Sequence, residues 1–94
     1  MSAPLDPIDI FAPGADATEK HLRRRLARAQ ATGSARAARC NSDDARCLWW
    51  QASQAASAWT FARASKDDLT DILRACSQMF CAANVFERIE ASNA

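Results

Sequence analysis

The sequence has no tyrosine, a single valine (Val85) and only two glycines, Gly14 and Gly33. Because strands favour alternating β-branched and aromatic residues, this shortage leaves β-structure without support. Alanine, the strongest helix former, fills 22 of the 94 positions. We therefore predict an all-α fold, namely an antiparallel three-helix bundle preceded by an extended N-terminal arm.

The sequence also lacks the groups on which most catalytic and cofactor sites depend. His21 is the only histidine, and its arginine-rich surroundings are more typical of a solvent-exposed side chain than of a general base. No glycine-rich phosphate loop is present. No pair of carboxylates stands apart from capping or surface positions. We therefore expect neither an enzyme nor a cofactor site.

The four cysteines are spaced C-x6-C and C-x4-C, at Cys40, Cys47, Cys76 and Cys81. Zinc ligands usually include pairs only two to four residues apart around a tight turn, so these spacings do not predict a metal site. We expect buried, reduced thiols that act as small apolar side chains. A Cys47–Cys81 bridge is the alternative if the second and third helices are antiparallel.

No apolar run reaches the roughly 18–20 residues of a membrane-spanning helix. The N-terminal residues lack the basic segment and apolar stretch of a secretory signal. These two absences predict a cytoplasmic protein. Ten of the twelve basic residues are arginine, and together with the alanine excess this suggests a GC-rich bacterial genome.

All three prolines lie within residues 1–14, which we predict to be the extended arm. The arm also carries apolar side chains, so we expect it to lie on its own subunit or on a neighbour. Residues 15–94 are predicted to form a single helical domain. Its helices are expected at about 16–39, 43–64 and 66–91.

Local signals place the helix ends and the core stripes. The predicted N-caps are Asp16 or Thr18, Asn41 or Ser42, and Ser65. Gly33 lies in phase with the apolar stripe of the first helix, so we expect that helix to continue through it. The third helix is predicted to turn one stripe to the core: Leu69, Ile72, Leu73, Cys76, Met79, Phe80, Ala83 and Phe86.

Residues 47–62 contain all three tryptophans and no charged residue. At about 100° per residue, their apolar side chains divide into two stripes on roughly opposite sides of a helix. We assign one stripe to the core: Leu48, Ala52, Ala55 and Trp59. The other stripe is left for the arm or another chain: Cys47, Trp50, Ala58 and Phe61. Trp49 is expected at the edge of the first stripe.

A helix with two apolar stripes predicts a non-enzymatic interaction protein, such as a bacterial adaptor, chaperone or regulator, that forms an oligomer or binds a protein partner. Tryptophan is enriched at the energetic centres of protein interfaces. The predicted contact residues are Trp49, Trp50 and Phe61, joined by Ile10 and Phe11 of the arm. A small helical secreted or secretion-associated protein is an alternative of the same size.

The first helix carries a broad basic face, which supports a different alternative. A nucleic-acid-binding regulator would neutralise phosphates with these side chains. The residues concerned are Arg24, Arg25, Arg28, Arg36 and Arg39. The helix has no aromatic residue for base stacking, and acidic residues elsewhere in the chain can pair with the arginines. Nucleic-acid binding therefore ranks second.

Overall fold

The computed structural model describes residues 18–93, and every regular element among them is an α-helix. The three helices are α1 (Glu19–Arg39), α2 (Asp43–Thr60) and α3 (Lys66–Asn93). Each helix contacts the other two. The all-α prediction is confirmed for this part of the chain. The predicted arm, with Ile10 and Phe11, lies outside the described residues, as does Asp16.

Each helix begins at a hydroxyl side chain that satisfies one of its first free amides. Thr18, Ser42 and Ser65 each accept a hydrogen bond from the amide three residues later, at 3.2, 3.2 and 3.1 Å. Such caps offset the loss of partners for the first-turn amides. The predicted N-caps at Ser42 and Ser65 are confirmed. Thr18 is the cap of α1, so α1 begins at Glu19 and not at residue 16.

α2 ends at Thr60, four residues before the predicted end at residue 64. Phe61 has left helical geometry, with φ −115° and ψ 5°. The prediction was wrong here because α3 begins immediately after its cap at Ser65, and a connection between two packed helices needs several non-helical residues. Phe61 therefore belongs to the connection and not to a face of α2.

The core is built from one stripe on each helix. Its apolar side chains are Leu22, Leu26, Ala29, Ala37, Ala45, Trp49, Ala52, Ala56, Leu69, Leu73, Cys76, Phe80 and Ala83. Phe86, predicted to continue the α3 stripe, is 38% exposed instead. Six residues separate it from Phe80, which rotates it about 120° away on the helix. Glu87 faces the interior at this level.

The core side of α2 also differs from the prediction. Trp49, expected at an edge, is 1% exposed. Of the predicted core stripe, Ala52 is fully buried, and Leu48, Ala55 and Trp59 are partly buried and pack against the core. α2 packs against α1 on one side and against α3 on the other. The line of side chains between these two contact surfaces therefore faces both neighbouring helices. Trp49 and the small alanines lie on that line, which is why they form the core.

Gly33 lies where α1 and α2 cross, and α1 continues through it as predicted. A Cβ atom at Gly33 would lie 2.6 Å from the Trp49 carbonyl oxygen and 2.9 Å from Ser53 Cβ. Ser53 Oγ donates to the Gln30 carbonyl at 2.9 Å and shares a 2.7 Å hydrogen bond with Ser34 Oγ. The small side chains of Gly33 and Ser53 thus allow the α1 and α2 backbones to pack at close distance.

Gly33→Ala should therefore destabilise the protein. Alanine at an exposed helix position is better than glycine by about 1 kcal/mol, but the added methyl group would overlap a backbone carbonyl that cannot rotate away. We expect a net loss of about 1–3 kcal/mol in the free energy of unfolding, measured by urea titration. Ala31→Gly, an exposed site on the same helix, is the matched control and should lose about 1 kcal/mol. A Gly33→Ala protein more stable than wild type would contradict the close crossing.

Candidate functional site

Trp49 connects all three helices through its indole ring. Its N–H group donates to Glu87 Oε2 of α3. The Arg36 guanidinium of α1 lies 4.7 Å from the ring centroid and also donates to Asn84 Oδ1 at 3.1 Å. The Phe80 ring packs at 5.0 Å between centroids. Trp49 is 1% exposed and committed to these internal contacts, so its ring offers no surface to a partner in this structure.

The same contacts remove Arg36 from the basic face that was predicted on the first helix. Arg36 is held inside the chain by Trp49 and Asn84, so it is not part of an open anion-binding surface. Arg25 is partly buried. The remaining three arginines, Arg24, Arg28 and Arg39, are exposed, and none of them forms a hydrogen bond or ion pair with residues 18–92.

Trp50 is the outward neighbour of Trp49, with 51% of its surface exposed. It borders a shallow cleft of about 250 Å³ against α1, here called the Trp50 cleft, lined by Ser34, Ala37, Ala38, Arg46 and Trp50. Within the described residues its indole N–H group makes no hydrogen bond. Trp50 therefore presents an apolar ring and an unused donor to solvent.

Phe61 is 93% exposed, more than any other large apolar side chain in the described part of the chain. It borders a second cleft of about 650 Å³, here called the Phe61 cleft, lined by Glu19, Lys20, Arg23, Arg24, Ala27, Thr60 and Phe61. Trp50 and Phe61 both border residues of α1. Phe61 lies just beyond the C-terminal end of α2, however, and the two side chains line separate clefts.

A third exposed apolar surface lies on the side of α3 that faces away from the core. It consists of Val85, Phe86 and Ile89, which are 50%, 38% and 50% exposed, and we call it the α3 outer face. This face was not predicted from the sequence, because Phe86 was assigned to the core. A signal was present: together with Ala82, these residues recur at i, i+3, i+4 and i+7, in a stripe centred about 180° from Phe80.

A further cleft of about 300 Å³ lies between the α1–α2 connection and the end of α3, and Arg39, Asn41 and Glu90 contribute to its lining. Cys40 Sγ donates to Glu87 Oε2 there at 3.6 Å. Since Glu87 also accepts the Trp49 indole, this carboxylate holds the connection and the core together.

All four cysteines are free thiols, but only some are buried. Burial raises the pKa of the Cys76 thiol to about 11, and its Sγ donates to the Ala52 carbonyl at 3.5 Å. The buried-thiol prediction is confirmed for Cys76 and wrong for Cys47 and Cys81, which are exposed. In the part of the chain that the structure describes, no cluster of three or more His, Cys, Asp or Glu side chains is arranged to hold a metal ion.

None of the helices between residues 18 and 93 combines the length and apolar character needed to cross a membrane. No family model, curated protein or solved structure matches the chain.

Proposed function

We propose that this chain is a non-enzymatic interaction protein, in which an antiparallel three-helix bundle preceded by an extended arm displays apolar side chains to protein partners. One observation carries the proposal: five large apolar side chains are more than a third exposed, at Trp50, Phe61, Val85, Phe86 and Ile89. Apolar area contributes about 25 cal/mol per Å² when it leaves water. A partner that covers these side chains would recover that free energy.

The Trp50 cleft is suited to the centre of such an interface. Tryptophan is prominent among interface hot spots, because it combines a large apolar area with a hydrogen-bond donor. The small side chains Ala37 and Ala38 leave room beside the Trp50 ring for an inserted side chain. Arg46, about half exposed, supplies a charged rim.

The α3 outer face is suited to a different kind of contact. Three large side chains on adjacent turns form a ridge, which packs into the groove of another helix or pairs with a second copy. Trp50 borders α1, whereas Val85 and Ile89 project from the far side of α3. Two separate surfaces favour an adaptor that contacts two molecules, or an oligomer built through one of them. A cytoplasmic, bacterial setting remains part of this proposal, on compositional grounds.

Sedimentation velocity over a concentration series tests the proposal. The wild-type sedimentation coefficient should rise with concentration, and Trp50→Ala should weaken the association by about 2 kcal/mol, or roughly thirtyfold in Kd. Gln51→Ala, the exposed neighbour of Trp50, is the matched control and should behave as wild type. Far-UV circular dichroism of each variant should match wild type, because Trp50 is half exposed.

Trp49→Ala serves as the core comparison and should lose about 3–5 kcal/mol of stability. A wild-type chain that remains monomeric at every concentration would contradict self-association. If Trp50→Ala lost as much stability as Trp49→Ala, this would contradict the placement of the Trp50 side chain on the protein surface.

A nucleic-acid-binding regulator is the second candidate, because Arg24, Arg28 and Arg39 are exposed and without partners in residues 18–92. Phosphate contacts make affinity strongly dependent on salt. Fluorescence anisotropy with a duplex DNA and a duplex RNA should then show binding at low salt that weakens in the double variant Arg24→Ala, Arg28→Ala. Lys66→Ala, in the first turn of α3, is the control. No binding of either duplex at low salt would exclude this candidate.

A further inference from the structure

The Phe61 cleft combines an exposed aromatic ring with unpaired cations. Phe61 forms one border, and 93% of its surface is exposed. α1 contributes Lys20 and Arg24 to the lining, and both are exposed and form no hydrogen bond or ion pair within residues 18–92. A complementary ligand therefore carries both an apolar group and negative charge.

The charge of the lining favours an anionic ligand. One carboxylate, that of Glu19, and three basic side chains give the lining a net charge of +2. The basic side chains are Lys20, Arg23 and Arg24. The Glu19 carboxylate already accepts a hydrogen bond from Arg23 at 3.2 Å. Lys20 and Arg24 are four residues apart, so their α-carbons are separated by about 6 Å along the helix axis, and Arg28 is exposed one turn further on.

Arg23 fixes the geometry of this cleft. Its guanidinium donates to the Thr60 carbonyl at 2.9 Å as well as to Glu19. The Thr60 carbonyl is one of the last four in α2, which have no donor within their own helix. By tying the first turns of α1 to the last residue of α2, Arg23 holds the Phe61 backbone beside the exposed cations. The cleft is thus built into the fold.

The extent of the cleft distinguishes between the classes of anionic partner. It follows α1 from Glu19 to Ala27, about 12 Å, which is the length of two turns of a helix. Proteins that bind single-stranded nucleic acid use several aromatic rings along a basic groove, whereas Phe61 is the one aromatic residue among the described residues of the lining. A membrane-binding helix needs a broad apolar face, whereas the apolar side chains here belong to Phe61 and Ala27. These dimensions match a short segment of a protein.

We propose that the Phe61 cleft binds an acidic segment of a partner protein, with one large apolar side chain against the Phe61 ring and two carboxylates beside Lys20 and Arg24. Carboxylates at positions i and i+4 of a helix, or at i and i+2 of an extended strand, have a matching spacing of about 6–7 Å. The proposal rests on the function proposed above, because it defines the chemistry of one partner. It leaves the Trp50 cleft and the α3 outer face open to other contacts.

Differential peptide selection tests the chemistry of the partner. A phage-displayed library of random peptides is selected in parallel against the wild-type chain and against Phe61→Ala, which should keep the wild-type circular dichroism because its ring is exposed. Peptides enriched on wild type alone should carry an excess of aspartate and glutamate together with a large apolar residue. Enrichment of neutral or basic peptides on wild type alone would overturn the proposal.

The same selection separates this proposal from the proposed function. If the same peptides are enriched on both chains and their binding requires Trp50, the acidic-partner proposal fails while the interaction protein stands. If neither chain enriches any peptide, both fail.

Charge-reversal variants locate the binding of an enriched peptide. By fluorescence anisotropy, Lys20→Glu with Arg24→Glu should raise the Kd by about tenfold or more, because two attractions become repulsions. Arg74→Glu with Arg88→Glu, at exposed positions of α3, changes the net charge equally and should stay within about twofold of wild type, because distant surface charges are screened. Equal effects of the two double variants would overturn the assignment to the cleft.

Two further probes test the other classes of anionic partner. A labelled oligothymidine and vesicles of phosphatidylserine should bind wild type no better than they bind Phe61→Ala. Binding of either probe that requires Phe61 would overturn the proposal in favour of a nucleic-acid or membrane surface.

Discussion

The missing side chain at Gly33 sets the separation of α1 and α2, and the positions of the aromatic residues follow from it. With only hydrogen atoms on the Gly33 α-carbon, the Trp49 carbonyl and Ser53 Cβ approach to distances that a Cβ atom would forbid. The hydrogen bonds of Ser53 to Gln30 and Ser34 then hold the crossing in register. At this separation the Trp49 side chain projects between α1 and α3, where Arg36, Phe80 and Glu87 surround it.

Two adjacent tryptophans consequently have opposite roles. Trp49 is in the core, and Trp50, about 100° further around α2, is turned toward solvent beside α1. A change of one position in the register of α2 would exchange them. The polar partners of Trp49 make such a shift costly, because Glu87 and Arg36 would lose their buried contacts. The internal network therefore also determines which aromatic side chains remain available to partners.

Much of the fold was predictable from local chemistry. Hydroxyl side chains before acidic residues located the caps at Ser42 and Ser65, and the unbroken stripe predicted that α1 continues through Gly33. The orientation of α2 was not predictable in the same way. Periodicity gives the angles between side chains on one helix, but the direction of the core depends on where the neighbouring helices lie. That is why Trp49 and Phe86 were misplaced, and why Phe61 was assigned to a helix that ends before it.

Hydrogen exchange of the three tryptophan indole N–H groups, followed by NMR in the wild-type protein, tests the position of Trp49 most directly. Its indole is buried and donates to Glu87, whereas the Trp50 indole is half exposed and has no partner in the described residues. We predict that the Trp49 group exchanges more slowly than the Trp50 group by about a hundredfold or more. Equal exchange rates for the two groups, or stronger protection at Trp50, would contradict the central role of Trp49.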